Sequence, residues 1–296
     1  MPSRPILHSS FTIERQYRAD VARVFAAWAD IETKARWFMG PPDTWTLVER
    51  GLDFRVGGAE RLHGRFGGGR ESLYEARFHA IEPGVRLAYV YDMFVNGTHL
   101  SVSLASVEFH AGDSGGTRMV YTEQVAFLDG EDGTRSREHG TDAHFDRLGS
   151  ILDDAHDIVS ARTFAAPLAR VYAAHSTSEQ LVSWWGPAGF VNEIHQYDLQ
   201  AGGLWRLSMR APDGSEHHLT KRFLEVRPGE RIVLRQEVPA GHAFTMTMTF
   251  LPMGDTTHVV WALRFDSADE AAAVRPFVEA ANEQNFDRLA AFLYVL

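Results

Sequence analysis

Glu123 is the residue whose type and setting in this sequence best suit acid–base chemistry. It belongs to a set of residues spaced by two, and such residues point to the same face of a strand. The other members are large and apolar or aromatic: Met119, Tyr121, Val125 and Phe127. A carboxylate buried among such groups is costly unless it is paired, and burial disfavours its charged form. Glu123 is therefore a candidate general acid or base.

Two alternatives stay open for the carboxylates of this face. Glu123 could bond to its neighbours near an open end of the sheet without touching a ligand. Glu60, the second candidate acid or base, could be solvent-exposed at the start of its strand. In an enzymatic interpretation, Glu123 is the general base and Tyr89, Tyr91 or Tyr121 orients the substrate.

Aromatic and methionine side chains form the candidate lining of an apolar pocket, because such side chains suit adaptable apolar sites. The candidates in the first half are Trp37, Tyr74, Tyr89, Tyr91, Tyr121 and Phe145. Those in the second half are Trp184, Trp205, Met209, Met246, Trp261, Asn282 and Phe286. The alternative for all of them is ordinary core packing.

The elements that position these residues occur twice, because the chain repeats itself. The segment 14–27 aligns with 161–174, and Asp53…Gly57-Gly58 aligns with Asp198…Gly202-Gly203. We therefore predict two copies of one domain, residues 1–153 and 154–296. The alignment places Trp205 at the position of Glu60 and Leu263 at that of Glu123, so the polar cavity is expected in the first copy.

The order of elements can be predicted for each copy. A first strand leads into a helix that begins at Asp20 or Pro167, residues typical of helix starts. A second short helix ends near Trp37 or Trp184, where Gly and Pro follow. Six alternating strands and a long closing helix complete the copy, with apolar positions at helical spacing. The spacing predicts that Phe145 and Phe286 face the sheet from this last helix.

Several motifs in this order resemble a known family. They include Trp184-Trp185-Gly186-Pro187 and Gly202-Gly203-Leu204-Trp205-Arg206 in the second copy, and Tyr121-Thr122-Glu123-Gln124 in the first. The chain resembles the AHSA1-like (activator of Hsp90 ATPase homologue-like) family of the SRPBCC, or START/Bet v 1-like, superfamily. In the first copy, Phe38-Met39-Gly40-Pro41 departs from the double-tryptophan pattern.

The resemblance implies an α+β fold of two helix-grip domains. In each, a curved antiparallel sheet would wrap around the last helix and leave an apolar cavity. Such a fold hosts binding proteins, cyclases, dehydratases, hydrolases and co-chaperone domains alike, so it decides little about chemistry.

Composition excludes several classes of function. The chain has 296 residues and a formal net charge of −10 at pH 7, which argues against binding nucleic acid or an anionic membrane. It has no cysteine, which excludes disulfides and thiol nucleophiles. With no secretory signal at its N-terminus, a cytoplasmic location is expected. The 14 histidines show no metal-ligand spacing and are expected at the surface, so no metal or cofactor is expected.

The leading hypothesis is a protein that binds a small apolar or aromatic ligand, in a stress response, transport or sequestration. The alternatives are an enzyme of the cyclase, dehydratase or hydrolase type and a chaperone-interacting module. The near-absent linker predicts two domains packed together, as a monomer or as a dimer.

Overall fold

The computed structural model describes residues 5–112, 116–237 and 242–295. The chain divides into two compact units, Met1–Asp153 and Asp154–Leu296. None of the helices in the described part is both long and apolar enough to cross a membrane.

The described part of the first unit contains seven strands and three helices. The strands form one antiparallel sheet in the order β1-β7-β6-β5-β4-β3-β2. The elements are β1 (Leu7–Tyr17), α1 (Val21–Ala29), α2 (Ile31–Trp37), β2 (Trp45–Leu52), β3 (Ala59–Phe66), β4 (Glu71–Glu82), β5 (Arg86–Val95), β6 (Thr98–Ala111), β7 (Thr117–Phe127) and α3 (Thr134–Leu152).

The second unit repeats this order, and its described strands form a sheet in the order β8-β14-β13-β12-β11-β10-β9. The elements are β8 (Asp157–Phe164), α4 (Leu168–Ser176), α5 (Ser178–Trp184), β9 (Val191–Tyr197), β10 (Leu204–Arg210), β11 (Glu216–Arg227), β12 (Arg231–Glu237), β13 (Phe244–Met253), β14 (Thr256–Phe265) and α6 (Ala268–Val295). The predicted α+β fold class and the tandem helix-grip arrangement are confirmed.

The two short helices of the first unit begin where aspartates cap them. Asp20 accepts a hydrogen bond from the Arg23 amide at 2.8 Å, and Asp30 accepts one from the Thr33 amide at 2.8 Å. A capping carboxylate satisfies amides that have no partner inside the helix. In the second unit, Pro167 and Thr177 occupy the cap positions without a side-chain hydrogen bond. The predicted helix starts at Asp20 and Pro167 are confirmed.

The core of each unit lies between the sheet and its last helix. On β7 every second residue from Thr117 to Phe127 is buried, as the alternation predicts. Phe145 on α3 and Phe286 on α6 are buried, which confirms their predicted orientation. The indole N–H groups of Trp37 and Trp184 donate to Ala27 O and Ala174 O, both at 2.9 Å. These equivalent bonds fix the second short helix against the first in both units.

The position of the Trp45 side chain depends on two glycines. A Cβ atom at Gly64 would lie about 1.9 Å from the Trp45 ring, and one at Gly40 about 2.3 Å from it. The indole therefore occupies the space where two side chains would begin. Since Trp45 is buried and contributes to the cavity described below, both glycines shape the end of that cavity.

The substitution Gly64→Ala should destabilise the first unit by about 1–3 kcal/mol, because the new methyl group must displace the Trp45 ring. Gly51→Ala on β2 is the matched control, since a Cβ there meets nothing within 4 Å. We expect this control to change stability by less than about 0.5 kcal/mol. Urea unfolding of the full chain measures both effects, and an equal response of the two variants would contradict the prediction.

Candidate functional site

A cavity of about 420 Å³ lies in the first unit between the sheet and α3. Eleven of its 26 lining residues are aromatic, and they come from α1, α2, several strands and α3. The aromatic lining residues are Trp28, Trp37, Phe38, Trp45, Phe66, Tyr74, Tyr89, Tyr91, Tyr121, Phe127 and Phe145. The six residues predicted to line a pocket in this domain are all among them.

Glu123 lies behind this wall as the acceptor of four hydrogen bonds. Its Oε1 accepts from Tyr91 Oη at 2.6 Å, Ser103 Oγ at 2.8 Å and Arg137 Nη1 at 3.2 Å. Its Oε2 accepts from Tyr121 Oη at 2.7 Å. The carboxylate is fully buried and is not one of the lining residues. It positions two phenols and a guanidinium that do face the cavity.

Arg137 compensates the charge of Glu123. It reaches from α3 and also donates to Tyr91 Oη at 2.5 Å and to Ser101 Oγ at 2.8 Å. Its side chain is 18% exposed, whereas that of Glu123 is 0% exposed. A buried carboxylate is tolerated when a cation and several hydrogen-bond donors surround it. Glu123 therefore forms hydrogen bonds with its neighbours, as the alternative interpretation of this residue expects.

The phenols of the cavity stay neutral. Burial raises the pKa values of Tyr74, Tyr89 and Tyr121 well above their usual range, and the nearby carboxylates add to this effect. Tyr91 and Tyr121 direct their hydroxyl protons to Glu123. Within the described residues the Tyr74 hydroxyl has no hydrogen-bond partner, so it remains available to a bound molecule.

A second buried ion pair lies at the α2 side of the cavity. Lys34 Nζ donates to Glu60 Oε2 at 2.7 Å, and the two side chains are only 3% and 2% exposed. The ammonium also lies 5.1 Å from the Trp28 ring centre and 5.2 Å from that of Phe38. The alternative that Glu60 is solvent-exposed is therefore wrong. Lys34 lines the cavity, whereas Glu60 supports it from behind.

His144 adds a neutral imidazole to the wall. Its Nε2 lies 3.1 Å from Met39 O, and a carbonyl only accepts, so Nε2 carries the proton. Burial, with Arg147 nearby, lowers the pKa of His144 to about 3. The expectation that the histidines are at the surface is wrong for His144, which is half-buried, and for His175 and His258, which are buried. Within the described residues, no group of His, Asp or Glu side chains could hold a metal ion.

The residues predicted for the second domain lie in its core. Trp184, Trp205, Met209, Met246, Trp261 and Phe286 belong to one buried hydrophobic cluster. Asn282 is also buried and donates from Nδ2 to Ser160 Oγ at 3.1 Å. These residues therefore pack in the core, which is the alternative that the sequence left open for all the candidate lining residues.

Apolar residues replace the polar network in the second domain. Leu263 takes the place of Glu123, and Trp205 takes that of Glu60. Leu181 lies one helical turn before Trp184, as Lys34 lies before Trp37. The two described domains therefore share a fold but differ in the chemistry of their cores.

A lysine side chain also enters the core of the second domain. Lys221 on β11 is 4% exposed, and its Nζ lies 4.7 and 4.6 Å from the ring centres of Trp185 and Trp205. The register pairs it directly with Trp205. Burial lowers the pKa of Lys221 to about 7, and no ion pair or hydrogen bond to a described residue opposes this effect.

Sequence reasoning missed Lys34, Arg137 and His144 as cavity residues. Spacing carried a signal for two of them, because Arg137 lies eight residues, about two helical turns, before Phe145 on α3 and Lys34 one turn before Trp37 on α2. Basic side chains were not considered for the cavity, and the buried partners of Lys34 and Arg137 come from distant strands.

Comparison with known proteins identifies the family. The family model described as activator of Hsp90 ATPase homolog 1-like protein matches residues 18–153 and again residues 165–294. The chain belongs to this family. The match includes both domains of the chain, so this AHSA1-like protein carries the family domain twice.

Solved structures similar to this AHSA1-like protein each match half of it. A protein from Rhizobium leguminosarum is 40% identical, covers 50% of this chain and 97% of its own, and superposes with a TM-score of 0.48. The protein Mll3558 from Rhizobium loti is 39% identical, covers 50% of this chain and 99% of its own, and gives a TM-score of 0.46. No curated protein matches the chain.

Removing the charge of Glu123 should destabilise the first domain strongly. In Glu123→Gln the Arg137 guanidinium loses its buried counter-charge, and we expect a loss of roughly 3 kcal/mol in the free energy of unfolding. The control is Glu14→Gln, which breaks an ion pair between half-exposed side chains with Arg118 and should cost less than about 1 kcal/mol. Urea unfolding of the full chain compares them, and similar losses would refute the buried-pair interpretation.

The stability of the second domain should depend on pH through Lys221. Its folded pKa of about 7 lies below lysine's ordinary value of 10.5, so above pH 7 the unfolded state binds more protons and stability rises with pH. We expect a slope of up to about 1.4 kcal/mol per pH unit between pH 7 and 9.

Lys221→Met should remove this slope and stabilise the domain most at pH 7, because the methionine buries no titratable group. Urea unfolding at pH 7, 8 and 9 provides the measurement. Equal slopes for the wild-type protein and the variant would show that Lys221 is charged in the folded state.

Proposed function

We propose that the first domain binds a small aromatic or apolar molecule in the cavity between its sheet and α3. The observation that supports this proposal most is the cavity itself. Its volume is about 420 Å³, aromatic rings line it, and the buried networks of Glu123 and Glu60 hold its polar lining residues in place. Ligand sites are typically concave, largely apolar and provided with a few placed polar groups, and this volume falls in their usual range.

The charges around the cavity favour a neutral ligand. Lys34 and Arg137 both line it, but each is already paired with a buried carboxylate, Glu60 and Glu123 respectively. A ligand carboxylate would compete with those partners. A ligand cation would face the two cations as well as Asp129, the acidic residue of the lining. A neutral molecule with one hydrogen-bonding group, able to contact the Tyr74 hydroxyl, fits this lining best.

The network around Glu123 supports binding more than direct base catalysis. A general base must reach the proton that it removes, either directly or through one water molecule. Both oxygens of Glu123 accept hydrogen bonds from protein donors, and Tyr91 and Tyr121 line the cavity whereas Glu123 does not. The phenols therefore meet the ligand, and Glu123 fixes their orientation.

Family membership is compatible with this proposal and with a chaperone-associated module. The family description names activation of the Hsp90 ATPase. The two functions differ in what they require of the cavity, because a module acting through its surface does not need an accessible interior. The experiment below separates them.

Binding can be tested with N-phenyl-1-naphthylamine, a neutral aromatic probe whose fluorescence rises in apolar surroundings. The wild-type chain should bind it, and native mass spectrometry after incubation with a host extract should show a ligand on the intact chain. Thr141→Trp places an indole at a lining position of α3 and should reduce probe affinity at least tenfold.

Glu138→Trp is the matched control. Glu138 lies on the same helix but is exposed and does not line the cavity, so this variant should bind the probe like the wild-type chain. Equal binding by both variants would place the probe elsewhere and contradict the proposal. A bare mass and no probe binding would favour the chaperone-associated alternative.

A further inference from the structure

The chain has only two lysines among its 29 basic residues, and both are buried. Lys34 lies in the core of the first domain and Lys221 in that of the second. Lysine is among the residues least often fully buried in proteins, because its ammonium loses hydration. The contacts of each buried lysine therefore have to offset this loss of hydration, or the lysine loses its charge.

The two lysines differ in their partners. Burial lowers the pKa of Lys34 too, but its ammonium donates to Glu60 at 2.7 Å, and this carboxylate opposes the effect of burial by favouring the charged form. Lys221 has no such partner. Among the described residues its Nζ makes no hydrogen bond or ion pair, and it lies over the rings of Trp185 and Trp205.

The aromatic cluster around Lys221 contains further unpartnered donors. Trp185 contacts Trp205 and Trp261, with ring centres 4.8 and 5.2 Å apart. The indole N–H groups of Trp205 and Trp261 are buried and have no acceptor among the described residues. Buried polar groups are normally hydrogen-bonded, so the unpaired N–H of Trp205, whose ring lies beside Lys221 Nζ, indicates a place for an acceptor.

A neutral amine is a nucleophile, and an ammonium is not. Lysines that form Schiff bases lose their charge through burial in apolar surroundings. The pKa of Lys221, lowered by burial to about 7, leaves a large share of neutral amine at physiological pH. The chemistry that matches a neutral amine, unpaired N–H donors and aromatic walls is addition to a carbonyl group.

We propose that Lys221 captures a small aromatic aldehyde as an imine within the second domain. The lone pair of Nζ attacks the carbonyl carbon, the C=O π electrons move to oxygen, and a proton passes from nitrogen to oxygen to give a carbinolamine. Loss of water then forms the C=N bond, so no oxidant or reductant is needed. The indole faces pack against the aromatic ring and shield the imine from hydrolysis.

Reductive trapping tests this site directly. The full chain is incubated at pH 7 with benzaldehyde and sodium cyanoborohydride, which reduces an imine to a stable benzylamine, and the products are mapped by peptide mass spectrometry. We expect a benzyl group on Lys221 and at least tenfold less on Lys34, the internal control. Lys221→Met should lose the adduct without gaining one elsewhere.

A second variant tests the role of the missing counter-charge. Trp205→Glu places a carboxylate opposite Lys221, at the position that Glu60 occupies in the first domain. We expect it to hold the amine protonated and to reduce trapping at Lys221 at least tenfold. The comparison of Lys221 with Lys34 in the wild-type chain does not depend on the folding of this variant.

The pH dependence of trapping provides an independent readout, with free Nα-acetyllysine in the same reaction as the reference amine. From pH 7 to 9 the neutral fraction of an amine with lysine's ordinary pKa of 10.5 rises steeply, whereas that of Lys221 is already large at pH 7. Labelling of Lys221 relative to the reference should therefore fall at least tenfold over this range.

Four results would overturn the proposal. They are a constant ratio of Lys221 to the reference amine, equal labelling of the two lysines, adducts at the N-terminus alone, and no adduct on Lys221 with either benzaldehyde or the smaller acetaldehyde.

Discussion

The cost of burying charge is the constraint on which the rest of the first domain depends. Glu123 is fully buried, and it is tolerated because Arg137 and three hydroxyl donors surround it. These donors come from β5, β6, β7 and α3. The network therefore ties the last helix to three neighbouring strands, and it orients the phenols of Tyr91 and Tyr121 at the wall of the cavity.

In the second domain the same fold is stabilised more by aromatic packing and less by buried ion pairs. Leucine and tryptophan replace both carboxylates there, and aromatic packing takes over the role of the ion pairs. Trp184, Trp185 and Trp261 contact one another, and Trp261 also packs against Phe286 on α6. Lys221 is the exception, and the absence of a counter-charge among its described neighbours gives the second domain a chemistry that the first does not have.

A duplicated domain with two cores is consistent with a division of labour. In the first domain the charged groups are paired, so its cavity presents neutral phenols and aromatic faces, which suit reversible binding of a neutral molecule. In the second domain an unpaired amine lies among indole rings, which suits reaction with an electrophile. The first assignment rests on the cavity and its paired charges, and the second rests on a buried lysine that has no charged partner among the described residues.

The sequence by itself determined the repeat, because two of its segments align, and the order of elements and the inward face of several strands, because these follow from periodicities of two and 3.6 residues. It also placed Glu123 among apolar neighbours and six aromatic residues at the cavity. Only the tertiary structure decided that Glu60 is buried against Lys34, that Arg137 reaches Glu123, and that Lys221 has no charged partner among the described residues. These outcomes depend on contacts between residues far apart in the chain, which local periodicity does not encode.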